Sequence, residues 1–224
     1  TPTQTGMMLV TQGLAAAVSM AVVGKAVERF VSRNLVATGG LLFGAGMLLL
    51  SRVTLLTGPE HLRLAFVLWG GSLGFLFVPL SLAALAGLEG QEMADGSGLF
   101  NLTRQWGGSL GIAFLSTLLD HRMAFHRNVL VERISLNNPV AAQTWAGIRQ
   151  YLVTRGTPPG EAPRQALAVL DRMVEGQAAV LAFQDAFLAI AVAFVVALPL
   201  LLLFRKAQPR TLLIWVFILI ALPV

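Results

Sequence analysis

Cysteine is absent from the 224 residues, which excludes a disulfide framework, a thiolate metal site and thiol chemistry. Charge is scarce: Asp, Glu, Lys and Arg make up 12% of the chain, about half the roughly 25% of an ordinary soluble domain. No glycine-rich phosphate loop is present, so ATP-driven chemistry is not encoded. The net charge of +5 and a pI near 11.0 would suit nucleic acid, but the basic residues are scattered between apolar runs. A single tyrosine offers little for base stacking, so no nucleic-acid partner is expected. The chain opens on Thr1 with neither Met nor the basic start of a signal peptide, and reads as processed or as a fragment.

Apolar sequence is plentiful. Hydrophobic residues reach 56% and mean hydropathy is +0.74. Crossing about 30 Å of hydrocarbon takes about 20 helical residues. Five stretches meet that length: 6–24, 35–56, 64–88, 96–119 and 180–204. The expected fold class is an all-α membrane protein of about five transmembrane helices. Residues 1–119 hold four of them with short loops and 180–206 hold the last.

Orientation follows from Lys and Arg in the short loops. The first loop carries Lys25, Arg29 and Arg33, and the end of the last span carries Arg205, Lys206 and Arg210. The second loop has only Arg52 and Arg63. These biases place the first and third loops and the C-terminus in the cytoplasm. Residues 120–179 then lie outside; their seven arginines do not overturn the assignment, because long segments translocate largely regardless of charge. Apolar spacing there predicts two short amphipathic helices, 139–152 and 162–174, around the breaker Gly156-Thr157-Pro158-Pro159-Gly160; the alternative is a partly disordered loop. The tail, 207–224, is cytoplasmic or interfacial, and its apolar part, 211–220, is too short for a comfortable span.

A charge inside a membrane costs several kcal/mol unless it meets a polar cavity or a partner, so such residues mark candidate sites. Arg104 is the one basic residue deep in a span, nine residues after Asp95 and so roughly 13 Å along the helix. Ser97, Asn101, Arg104, Gly108 and Gly111 recur at steps of three and four, with Gln105 and Ser109 beside them. The stripe lines a pathway or a tight helix interface, and Arg104 either serves the pathway or braces neighbouring helices. Asp185, preceded by Gln184, is the one acid well inside a span. It is a proton or cation site, or a solvated interfacial acid at a helix N-terminus. Gln12 reads as a helix contact. Gly40 with Gly44, Gly70 with Gly74 and Gly107 with Gly111 have the spacing that lets helix backbones approach, and Pro79 predicts a kink. Asp120, His121 and His126 gather at one span edge, but their spacing gives no metal-ligand set. No paired catalytic groups suggest an enzyme, and no cofactor is expected.

Two motifs carry a family resemblance. Gly24-Lys25-Ala26-Val27-Glu28-Arg29-Phe30-Val31-Ser32-Arg33 resembles the loop signature G-x-x-x-D-R-x-G-x-R of the major facilitator superfamily, with Glu28 for Asp and Val31 for Gly. Gly96-Ser97-Gly98-Leu99-Phe100-Asn101-Leu102-Thr103-Arg104, running on to Gly107-Gly108-Ser109-Leu110-Gly111, resembles the penultimate helix of the fourteen-helix drug:H⁺ antiporters of EmrB/QacA type. The long outer loop and the opening Gln184-Asp185-Ala186-Phe187 of the last span are similar to that family too. The resemblance covers about residues 1–206. It implies most of the C-terminal bundle of a multi-pass transporter in the bacterial inner membrane, driven by the proton gradient and exporting small hydrophobic or cationic substrates. It implies that Asn101 and Arg104 line or brace the cavity, with Gln105 and Ser109 beside them, and that Gly24, Glu28, Arg29 and Arg33 form a gating loop, unless they are only a positive-inside anchor. The partners are then the lipid bilayer and the missing N-terminal half, without which the chain should not transport. The alternative is a small polytopic protein acting as an assembly or interaction subunit.

Overall fold

The computed structural model describes residues 2–134 and 138–203. Its elements are six α-helices: α1 (Pro2–Ala26), α2 (Ser32–Leu50), α3 (Pro59–Leu85), α4 (Gly90–Arg133), α5 (Pro139–Thr154) and α6 (Ala162–Leu203). Among the described residues there is no strand, and α1, α2, α3 and α6 are long and apolar enough to cross a membrane. This is an all-α membrane protein. Helix α4, whose residues 96–119 were expected as a further span, is not among those four. Asn101, Arg104 and Gln105 in its middle dilute the apolar run. The tail, 207–224, and the basic residues Arg205, Lys206 and Arg210 lie outside the described residues.

Local chemistry sets the helix ends. Gly58 precedes α3 in extended conformation with Pro59 in the first turn, where its missing N–H costs nothing. The turn into α4 bends through Gly87 (φ 82°) and Gly90 (φ 55°), a left-handed backbone that a side chain would resist. Asn138 caps α5, its side-chain oxygen accepting from the Val140 N–H at 3.0 Å. The expected breaker at 156–160 does separate α5 from α6.

The chain divides into two compact units. Among the described residues, the first holds 2–116 and 186–203. Its core joins Phe43, Met47 and Leu50 of α2, Ala65, Leu76 and Leu80 of α3, Phe100 of α4, and Ile190, Ala191 and Phe194 of α6. The rings of Phe43 and Phe194 lie 4.2 Å apart. Between apolar helices in lipid, close van der Waals packing replaces the hydrophobic drive, so small residues mark the contacts. A Cβ on Gly70 would strike the backbone of Gln12 in α1, and one on Gly74 would strike Ser19 and Met20. Gly39 lies close to Phe75 and Leu76, and Gly40 to the end of the Leu198 side chain. Gly44 meets nothing, whereas Gly70 and Gly74 make a two-point helix crossing. The opposite side of α1 is exposed through Met7, Leu9, Val10, Leu14 and Val18, a surface suited to lipid.

The second unit spans residues 117–185. Two expectations change here. Helix α4 does not stop near residue 119 but runs to Arg133, and 162–174 is not a separate amphipathic helix but the opening of α6. Residues 175–179 contain no breaker stronger than Gly176, which a helix tolerates at about 1 kcal/mol. Ala162, Ala166, Val174, Ala178 and Ala182 fall on one buried i+4 row that binds these turns into a single helix. The remaining expected helix, 139–152, corresponds to α5.

Candidate functional site

Within the first unit, a cavity of about 700 Å³ opens between four helices. Helix α3 lines it with Leu73, Leu76, Phe77 and Leu80, a set at positions i, i+3, i+4 and i+7. Met20 of α1 and Phe194 of α6 close two further sides. Helix α4 contributes Phe100, Arg104 and Gly108 on one i+4 row, with Gln105, Ser109 and Ile112 adjoining. The wall is therefore mostly hydrocarbon and aromatic ring, and its side-chain polarity comes from Arg104, Gln105 and Ser109 on one helix.

Arg104 is exposed, and its guanidinium carbon sits 5.5 Å from the centre of the Phe77 ring. The Phe77 and Phe100 rings are 6.5 Å apart, so the charge rests at an aromatic corner. Cation–π stacking of this kind contributes about 0.5–1 kcal/mol at exposed sites. No carboxylate pairs with Arg104 among the described residues, and no helix carbonyl there accepts from it. Ser109 Oγ donates to the Gln105 carbonyl at 2.7 Å, holding that hydroxyl to its own helix. Asn101, expected in the same set, is not on the cavity wall; its amide donates back to the Ser97 carbonyl at 3.1 Å. The structure thus gathers Arg104, Gln105 and Ser109 and leaves Asn101 aside. The apolar wall was not foreseen, because Met20, Phe77, Phe100 and Phe194 stand in runs where every neighbour is equally apolar. The one available signal was Phe100 lying a turn before Arg104.

The expected gating residues lie at the α1–α2 connection. Gly24 is in the last turn of α1, Glu28 and Arg29 occupy the connecting turn, and Arg33 is in the first turn of α2. All four are exposed. No ion pair engages Glu28, Arg29 or Arg33 among the described residues. The turn closes through Arg29 and Phe30 N–H groups donating to Ala26 O at 3.0 and 2.9 Å. Val31, where the signature has Gly, adopts φ −63° and ψ 125°, an extended conformation open to any residue. The valine therefore costs the turn nothing.

Asp185 is not a merely solvated acid. Within the second unit its Oδ2 lies 2.7 Å from His126 Nε2 and 3.6 Å from Arg122 Nε, both on α4. Arg127 pairs with Asp171 at 2.8 Å. His121 turns elsewhere, with Nδ1 2.8 Å from the Thr117 carbonyl, so the two histidines serve different partners.

Known proteins resemble part of this chain. The chain is 30% identical over 128 residues to the "Multidrug resistance protein B homolog" of Mycobacterium tuberculosis, covering 54% of this chain and 23% of that protein. It is 26% identical over 133 residues to the "Fatty acid resistance protein FarB" of Neisseria gonorrhoeae (59% and 25%). It is 28% identical over 140 residues to the "Multidrug export protein EmrB" of Haemophilus influenzae (62% and 25%). The aligned part spans about a quarter of the length of these relatives. No protein-family model matches the chain, and no solved structure does. The chain is thus similar to part of EmrB-type multidrug resistance and export proteins, and is 22% identical over 139 residues to the MFS-type transporter YhcA of Bacillus subtilis.

Proposed function

We propose that this chain supplies most of the C-terminal bundle of a multidrug efflux transporter that works by alternating access on the proton gradient. The observation that carries the reading is the cavity beside α4. Sites for small molecules are concave, mostly apolar, about 300–1,000 Å³, and oriented by a few polar groups. The cavity has that size and that chemistry. In transporters built from two bundles, such a site lies near the midplane where the bundles meet and rock. The cavity would face an N-terminal bundle, and small hydrophobic molecules would be its cargo. Multidrug resistance and multidrug export are what the names of these relatives describe. The loop bearing Glu28, Arg29 and Arg33 would face the bacterial cytoplasm and act in switching between states. Asp185, held by His126 and Arg122, is the acid of this chain best placed to take part in proton movement.

The test is efflux from proteoliposomes carrying the complete transporter. An imposed proton gradient should drive a hydrophobic dye out of the interior, and collapsing the gradient should stop it. Dye movement indifferent to the gradient, or none in well-folded protein, would sink the reading.

A further inference from the structure

A histidine that reaches a carboxylate on another helix is a place where pH can act on packing. We infer that His126 and Asp185 form a pH-sensitive clamp: an imidazolium at His126 holds the α4 and α6 segments of the second unit together more tightly than the neutral ring does. Charge bias in the short loops sets this unit outside the membrane, so the clamp reads external pH. Acid outside, the condition that drives export in the efflux reading, is also the condition that tightens it.

The two ring nitrogens decide where the proton goes. An ionised carboxylate can only accept, so Nε2 of His126, 2.7 Å from Asp185 Oδ2, carries a hydrogen in either charge state of the ring. Nδ1 has no hydrogen-bond partner among the described residues and is the atom that takes the further proton from external water. The step forms one N–H bond and adds one positive charge. The contact to Asp185 is kept and becomes an ion pair. Imidazole is the side chain that ordinarily changes charge between about pH 5 and 8; carboxylates ordinarily titrate near about pH 4 and guanidinium groups above about 12.

The charged groups around His126 leave it as the variable member. On its own helix, Arg122 reaches the same Asp185 oxygen at 3.6 Å but is charged throughout that range, and His121 is turned to the Thr117 carbonyl. On α6, Asp171 is taken by Arg127, a pair whose charges are likewise constant. At α5, Arg149 and Arg155 lie over Trp145 and Tyr151 near their own positions in the chain, 5.3 and 5.2 Å from the ring centres. The added attraction is therefore present below the ordinary imidazole range and fades as pH rises through it.

Hydrogen exchange on the complete transporter in lipid nanodiscs tests the clamp. Protection of residues 117–133 and 162–185, corrected for the chemical exchange rate at each pH, should be about threefold greater near about pH 5.5 than near about pH 8, the scale of a partly screened ion pair. His126→Gln keeps a donor and cannot take the charge, so its profile should be flat. Asp185→Asn leaves the imidazolium beside Arg122 with no acid between them, so protection should fall in acid. His121→Gln should keep the wild-type profile.

Equal protection at both pH values in the wild type overturns the inference without any variant. Acid-enhanced protection that persists in His126→Gln or in Asp185→Asn, or that disappears in His121→Gln, overturns it too. Thiol labelling of Thr157→Cys from the cytoplasmic side alone would overturn the external reading. No transport is measured, so failure here leaves the efflux reading standing, and a loss of gradient-driven efflux leaves the clamp standing.

Discussion

At the scale of single residues, sequence made anomalies visible and ordinary residues invisible. Arg104 stood out because a charge in a long apolar run needs an explanation, and the structure puts it on a cavity wall. Asn101 looked equivalent on the same helix, but spacing cannot reveal that an amide will fold back on its own backbone, as it does onto Ser97. The glycines were likewise only half legible, since a GxxxG spacing says that approach is permitted and not that a partner arrives. Gly70 should not tolerate a larger side chain, because its Cβ would occupy the position of the Gln12 backbone, which has nowhere to move. Gly70→Val is expected to destabilise the folded protein in detergent by about 1–3 kcal/mol, the usual cost of overpacking. Gly71→Ala next to it, with nothing within 4 Å, should be nearly neutral in the same thermal unfolding assay. Equal melting temperatures for the two variants would remove the crossing from the account. Arg104→Lys keeps the charge and loses the planar fork and the stack on Phe77, so gradient-driven efflux should fall nearly as far as with Arg104→Ala. Near-wild-type efflux from the lysine variant would mean that positive charge alone suffices there.

At the scale of elements, the apolar helices were readable because a span must present an unbroken hydrocarbon surface of about 20 residues. Polar sequence carries no such requirement, and there the reading went astray. Beyond residue 119, α4 is rich in His, Arg and Asp, so nothing in the local pattern announces fourteen further helical residues. What engages this stretch is distant in sequence: Asp185 is 59 residues from His126, and Asp171 is 44 from Arg127. A double-mutant cycle between His126→Ala and Asp185→Asn measures the tie directly. Asp185 is 32% exposed and His126 19%, so solvent screens the pair and a coupling near 1 kcal/mol is expected. Strict additivity of the two variants in chemical unfolding would show the contact to be energetically idle. Activity separates a second question. If Asp185 also takes part in proton movement, Asp185→Asn should lower gradient-driven efflux more than His126→Ala does, although both break the same contact.

At the scale of the whole molecule, the sequence carries a topology that helix packing cannot express, because packing is indifferent to which side of a membrane it faces. The information lies in charge: Lys25, Arg29 and Arg33 crowd one short loop, and basic residues are held on the cytoplasmic side. The α1–α2 connection should therefore be inside and the α5–α6 connection outside. Cysteine is absent from these 224 residues, so an introduced thiol is the only one among them. With Ser32→Cys and Thr157→Cys made separately, an impermeant thiol reagent applied to intact cells should modify the second and spare the first until the membrane is opened. Ser32 is exposed and Thr157 half-buried, so failure of the Ser32 variant to react reports sidedness and not burial. Labelling of the Ser32 variant from outside would reverse the topology, and with it the gating role of the loop, which requires the cytoplasmic face. If the orientation holds, Glu28 becomes the residue to probe, since it is exposed and unpaired among the described residues and so is available to bind a facing helix end in another state. Glu28→Ala should then slow turnover about tenfold, as losing roughly 1.4 kcal/mol from a switching step would, while substrate affinity stays within about twofold. Affinity and rate falling together would place Glu28 in binding and end its assignment to the conformational switch.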